Sequence, residues 1–456
     1  MNKNSTFWNR NLDHYPENRK RIWYLSVSVL VTIVLYYEYY VLGAVAPLVM
    51  KELKMSLNWY AYLWVVANGL GALSSIIGGF ADRIGRANFV VYGVLASALL
   101  TLGLVFTSTL MSFSIVFCLL GFVEGVLLVA TPALVRDFSP RLGRATAMAF
   151  WSLGPAGGSL LTTFFANQTL PIYGTWQSQF IICTIFGFVV FLIAFFGLKE
   201  LSPSIRNQIM VSIEEAAKVE AKSRGLNVTA APKSAWKQML SGKLIGSAFA
   251  ISIFLLIYYS AVGYFPLYLT TIYGFTLEQA NGMMTLYWFI DIVALIIIGI
   301  ISDRTEVRKP FMIIGAIGLI IGIGLFISNI GQTASVGYMS FLLCLIAVMI
   351  SVVYVPWMAS YTETVEDVNP SLVATGVAIW GSMVRWVVVI QGIWITHIIG
   401  TPDGWGNWWK ICMAGVIIFI PFVFGMSGHW TRKKARDARN ALDIDSQSSI
   451  GTPAGP

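Results

Sequence analysis

Gly78-Gly-Phe-Ala-Asp82-Arg83-Ile-Gly-Arg86 breaks a long apolar stretch with one charged turn, and a looser copy, Gly299-Ile-Ile-Ser-Asp303-Arg304-Thr-Glu-Val-Arg308, does the same far downstream. In each copy a glycine stands four residues before the Asp-Arg pair. The two aspartates are 221 residues apart, close to half of the 456-residue chain. A second echo runs beside the first. Ala145-Thr-Ala-Met-Ala-Phe-Trp151 matches Ala374-Thr-Gly-Val-Ala-Ile-Trp380 at an offset of 229. Apolar segments repeated around a charged turn are the pattern of a duplicated membrane bundle, and of a transporter in particular.

The composition agrees. The chain is 57% hydrophobic and 11% charged, against roughly 25% charged in an ordinary soluble domain. Runs of about 20 apolar residues recur, long enough to cross a bilayer core ~30 Å thick. The first run, from Ile22 to Val49, is too long for a cleaved secretory signal and lacks a small-residue cleavage site after it. All four cysteines fall inside apolar runs without metal-like spacing, which argues for neither disulfides nor zinc.

Hydropathy divides the chain into five parts. An N-terminal arm (1–21) precedes a first half (22–198) with apolar segments near 22–49, 59–80, 88–109, 112–135, 145–166 and 178–198. A polar linker (199–243) follows, with a short amphipathic helix expected near Ile213 to Lys222. The second half (244–428) holds segments near 244–269, 279–301, 310–329, 334–358, 372–399 and 409–428, and a basic tail (429–456) closes the chain. The expected fold class is therefore all-α: a membrane protein of twelve transmembrane helices in two pseudo-symmetric six-helix halves.

Orientation follows from lysine and arginine placement. With the N-terminus inside, the arm, the linker, the tail and the inner turns carry 26 of the 30 basic residues, leaving Lys51, Lys54 and Lys410 outside. This places the protein in the cell membrane with both termini cytoplasmic. The net charge of +8 is thus explained by topology and anionic lipid, not nucleic acid. Trp59, Tyr60, Tyr62 and Trp64, like Trp405, Trp408 and Trp409, lie near outer ends and read as interfacial anchors.

The first charged turn, Gly-x-x-x-Asp-Arg-x-Gly-Arg between the second and third of twelve segments, resembles the signature loop of the major facilitator superfamily. The resemblance spans essentially the whole chain, including the long central loop and the degenerate second copy between segments 8 and 9. It implies two six-helix halves rocking about a central cavity, with the signature loops helping to close the cytoplasmic side. Asp82, Arg83 and Arg86, with Asp303 and Arg304, are then candidates for a cytoplasmic gate; the alternative is that they only set topology. In segment 1, Glu38-Tyr-Tyr-Val-Leu-Gly43-Ala-Val-Ala-Pro47 is similar to the pattern of proton-coupled organic-acid and aromatic-acid symporters, with glutamate where aspartate is usual. The basic loop Arg136-Asp-Phe-Ser-Pro140 to Arg144 resembles that of anion symporters, while Gly154-Pro-Ala-Gly-Gly158 partly resembles an antiporter motif.

Four ionisable residues sit well inside apolar runs: Glu38, Glu124, Asp291 and Arg385. Each costs at least ~2.5 kcal/mol at a helix centre on insertion scales, so each should face a cavity or a partner. Carboxyl groups in such surroundings gain a proton by desolvation and lose it to water or a nearby cation. Glu38, Glu124 and Asp291 are therefore candidate proton carriers, or alternatively polar clamps between helices. Arg385 cannot shed its charge and needs an anion, either a protein carboxylate or a substrate carboxylate. Tyr37, Tyr40 and Tyr259 are candidates to contact substrate.

The expected function is secondary active transport by alternating access: proton-coupled symport of a small organic anion by a monomer surrounded by lipid. The alternatives are a proton-driven antiporter exporting drugs or metabolites, or a receptor that does not transport. No metal-ligand spacing, phosphate loop or nucleophile motif is present, so no cofactor is expected and an enzyme is disfavoured.

Overall fold

A computed structural model describes residues 10–77, 85–138, 144–206, 208, 239–305, 307–368, 373–400 and 403–433. Asp82 and Arg83, the expected linker helix and the tail beyond Lys433 lie outside the described residues.

Apolar sequence in a bilayer has no water to satisfy its backbone, so each run closes its hydrogen bonds internally as a helix. The first half comprises α1 (Asn18–Glu52), α2 (Leu57–Ile77), α3 (Arg86–Val105), α4 (Leu110–Asp137), α5 (Arg144–Tyr173) and α6 (Trp176–Gly197). In the second half one span is broken into α7 (Gly242–Phe254), α8 (Leu256–Gly263) and α9 (Phe265–Tyr273). Then follow α10 (Leu277–Thr305), α11 (Lys309–Ser328), α12 (Val336–Val368), α13 (Val373–Ile399) and α14 (Gly404–Gly425). Among the described residues, ten helical stretches are apolar and long enough to cross a membrane. The 21 residues of α2 and the 30 of α5 have the length to do so as well.

The duplication is visible in the packing. In the first half α1 packs on α5 and α6, α2 on α4, and α3 on α4 and α6. The second half repeats this pairing span for span: α7 on α13 and α14, α10 on α12, and α11 on α12 and α14. The halves meet along α2 with α13 and α5 with α10, again a symmetric pair. Large apolar side chains such as Phe106, Phe196 and Ile314 stay exposed on the outer faces, where lipid tails rather than water would meet them.

Pro266 breaks the seventh span. It has no N–H to give to Val262, four residues earlier, and its ring crowds that carbonyl. Tyr264 accordingly leaves helical geometry (φ −131°, ψ −15°), with the proline in the first turn of α9. The freed carbonyls face the first half. Tyr60 Oη donates to Gly263 O at 2.6 Å, and Gly43 of α1 lies so near Val262 O that a Cβ there would collide with it. Asn281 Nδ2 adds a bond to Ala44 O at 3.0 Å. These contacts lie at the end of the bundle away from the chain termini and close it there.

Two features depart from the sequence reading. The chain before α1 pairs with the segment after α6, as β1 (Asn11–Leu12) runs parallel to β2 (Glu200–Leu201). The ring belt is also only partly interfacial: Trp59 and Tyr62 are exposed, whereas Tyr60, Trp64, Trp405, Trp408 and Trp409 are buried. Trp409 packs on Phe265 and Tyr268, and Trp408 Nε1 donates to Ser260 Oγ at 2.9 Å. Helix-to-helix packing claims these rings before the membrane surface does.

Candidate functional site

A cavity of about 270 Å³ lies between the halves, walled mostly by apolar groups. From the first half α1 contributes Tyr36, Tyr39 and Tyr40, and α4 contributes Glu124. From the second half come Tyr258 and Tyr259 of α8, Asp291 of α10, Tyr354 of α12, and Arg385 and Gln391 of α13.

Helix geometry decides which face of α1 meets the cavity. Positions 36, 39 and 40 share one face, since residues three and four apart are neighbours on a helix. Tyr37 and Glu38 are rotated off that face. Tyr37 is fully buried and packs on Phe165 and Phe186. Glu38, also fully buried, accepts a hydrogen bond from Ser97 of α3. It fills a notch left by the missing side chain of Gly187 on α6. Of the residues expected at the site, Glu124, Asp291, Arg385, Tyr40 and Tyr259 therefore come together, and Tyr37 and Glu38 do not.

Glu124 reaches the cavity because glycines let α2 and α4 close up around it. A Cβ at Gly121 would stand 2.9 Å from Ala67 O, and one at Gly125 would overlap the Gly71 backbone. Glu124 is 3% exposed and its Oε1 has no hydrogen-bond partner among the described residues. Asp291, by contrast, accepts from Ser351 Oγ at 2.7 Å. Arg385 lines the same cavity as Glu124, Tyr36 and Tyr259. Yet among the described residues no carboxylate lies within ion-pair distance of it. A cavity with an unmatched guanidinium, an unmatched carboxyl and phenolic walls can hold an anionic, partly apolar solute and can move a proton.

Arg86 and Arg308, the last residues of the two charged motifs, sit at the end of the bundle nearest the termini. Arg86 Nη1 grips both carboxylate oxygens of Asp137, at the end of α4, at 3.0 and 2.9 Å, and its backbone N–H donates to Glu200 Oε2 at 2.8 Å. In the second half Arg308 bridges to Asp303 at 2.9 Å and to Glu363 of α12 at 3.4 Å. Its backbone N–H donates to His429 O at 3.3 Å. Each of these two arginines is thus tied to the fourth helix of its own half and to the chain leaving the sixth. Arg304 is exposed. Arg10 completes the first tie, donating to Asn88 Oδ1 at 2.9 Å and to the carbonyls of Phe195 and Leu198 at the end of α6. Burial pushes the Glu200 carboxyl above its ordinary value of 4.5, against the backbone N–H of Arg86 and the charge of Arg206.

Residues 28–393 match the profile of the Major Facilitator Superfamily. This chain belongs to that superfamily. As a member it is a multi-pass membrane transporter of a small molecule, not an enzyme. The phosphoglycerate transporter protein of Salmonella typhimurium is 23% identical over 415 residues, covering 87% of this chain and 86% of the relative. The cis,cis-muconate transport protein of Acinetobacter baylyi is 26% identical over 267 residues, 56% of this chain and 60% of the relative. Among solved structures, a D-xylose–proton symporter superposes with a TM-score of 0.64 at 16% identity, covering 89% of this chain and 99% of the other.

Sequence reasoning did not single out Gln391, whose signal was present as a polar side chain six positions after Arg385 in an apolar run. Nor did it name Asp137 and Glu363 as the partners of the two turn arginines, because charge counting reveals neither distance nor burial.

Proposed function

We propose that this transporter is a proton-coupled symporter that carries a small organic anion into the cell as a monomer, with both termini in the cytoplasm. The observation that carries the reading is Arg385: a permanent cation at a cavity wall with no carboxylate in ion-pair reach among the described residues. A guanidinium in that position is stabilised when a substrate carboxylate binds it through two N–H groups. The similarity to transporters named for phosphoglycerate and muconate, both anionic, supports the same solute class.

In this scheme Glu124 takes the proton that accompanies the anion. Empty, the cavity leaves its carboxyl beside the Arg385 charge; once a substrate anion occupies Arg385, that support is lost and the carboxyl favours its protonated form. Proton and anion then load together and cross as a neutral set. Asp291 is a second carrier on the opposite wall, and Glu38 is a proton store behind α1. Tyr40 and Tyr259 hold the body of the substrate. Asp82, Arg83 and Arg86, with Asp303 and Arg304, form the cytoplasmic gate that alternates with closure at the Tyr60 end.

The test is proton movement in proteoliposomes as a panel of monocarboxylates, dicarboxylates and sugar acids is added outside. Alkalinisation of the outer medium on addition of one acid is the expected result. Acidification instead would establish exchange, as an exporter of drugs or metabolites would give. Counterflow without any proton flux would remove the coupling.

A further inference from the structure

Gln391 stands six residues beyond Arg385 on α13, roughly 9 Å farther along the axis at 1.5 Å per residue. It lines the same cavity and is 4% exposed. The direction of its amide is set by a chain of hydrogen bonds that starts behind it. Ser260 Oγ donates its one proton to Leu256 O at 2.7 Å. The indole of Trp408 has only a donor to offer and gives it to Ser260 Oγ at 2.9 Å. One lone pair is then left on Ser260, and Gln391 Nε2 fills it at 3.1 Å. The amide is thus held with its nitrogen toward Ser260. Its carbonyl oxygen, Oε1, is buried with no hydrogen-bond partner among the described residues. A buried acceptor of this kind favours a ligand that supplies the missing donor.

We infer that Gln391 is a specificity-determining residue that accepts a hydrogen bond from a hydroxyl of the transported acid, so that the substrates are hydroxylated carboxylates with the hydroxyl remote from the carboxylate. The inference rests on the reading of Arg385 as the carboxylate site. With the carboxylate fixed there, the substrate's far end extends along α13 to Gln391. A solute with an apolar or acceptor group at that end leaves Oε1 unpaired and is rejected. Trp408 and Ser260 act as positioning residues, because they decide which end of the amide is presented.

The test measures equilibrium binding by calorimetry to the purified full chain, using matched pairs: 4-hydroxyphenylacetate with phenylacetate, and 6-hydroxyhexanoate with hexanoate. The uncharged 4-hydroxyphenylacetamide is included. Wild type should bind the hydroxylated member of at least one pair about tenfold more tightly, the size of one net hydrogen bond. Gln391→Met, close in length but without the acceptor, should bring the ratio near one, with the deoxy acid bound at least as tightly as by wild type because no acceptor is left unpaired, which also reports that the variant is folded. Ser260→Ala frees the amide to turn and should likewise weaken the preference. Equal affinity within both pairs, no binding of either hydroxylated acid, or a preference that survives Gln391→Met would overturn the inference. Should the amide bind as tightly as 4-hydroxyphenylacetate, the carboxylate site at Arg385 fails, while the ratio set by Gln391 still reads the hydroxyl contact.

Discussion

Arg385 and Glu124 face one cavity from opposite halves of the molecule, and neither finds an ion-pair partner among the described residues. Burial of unpaired charge is costly, so an arrangement of this kind persists where a ligand and a proton complete it. In the proposed alternating-access cycle the two halves move relative to one another, and the spacing of this pair would change with every transport step.

Arg385→Gln should abolish anion uptake while leaving the protein inserted and monodisperse. Loss of two charge-assisted hydrogen bonds corresponds to at least about a tenfold weakening of binding. Arg385→Lys, which keeps the charge but not the fork, should fall between the two. Radiolabelled uptake in proteoliposomes reads this, and undiminished transport by Arg385→Gln would remove the residue from the site.

Glu124→Gln keeps shape and polarity but cannot release a proton. Downhill exchange of labelled for unlabelled solute should continue in this variant, whereas uphill accumulation driven by a pH gradient should collapse. Comparing counterflow with gradient-driven uptake in the same vesicles separates the two effects. Accumulation equal to wild type would assign the proton elsewhere, with Asp291→Asn the next variant to measure.

The twelve spans were legible because a membrane segment is defined by its own composition over about 20 residues. The duplication was legible because two charged turns and two Ala-Thr strings recur at half the chain length. The site was only half legible. Composition places Glu38 in the membrane, but only the angle between successive helix positions turns it away from Tyr36 and Tyr40, toward Ser97 and Gly187. The pairing of Asn11 and Leu12 with Glu200 and Leu201 had no signal at all, because two-residue strands carry no periodicity. Pro266 was a readable break whose partners, Gly43 and Tyr60, belong to the other half and become neighbours only on folding.

Tyr60→Phe should loosen the closure at that end. The variant loses the bond to Gly263 O at 2.6 Å, worth about 0.5–1.5 kcal/mol, and shifts the open-to-closed ratio up to roughly tenfold. Gly43→Ala should act more strongly, since the added Cβ collides with Val262 O. Spin-label distances between the loop after α1 and the loop after α9 would report the longer population. An unchanged distance distribution in both variants would mean that closure is carried by other contacts.

Glu200 predicts a pH dependence with a defined sign. Its carboxyl is held above the ordinary value of 4.5, chiefly by burial, so the folded protein binds this proton more tightly than the unfolded chain does. Stability from this group is then fullest below about 4.5 and declines as pH rises through the shifted value. Glu200→Gln cannot titrate, so the melting temperature of wild type relative to the variant should fall between pH 4 and pH 7. The fall should vanish when Arg10 to Leu12 are deleted, since the arm caps α6 beside Glu200 and helps bury it. Fluorescence-detected melting of detergent-solubilised protein at both pH values measures the difference. A rise with pH would show that the hydrogen bond from Arg86 and the charge of Arg206 outweigh desolvation at this carboxyl.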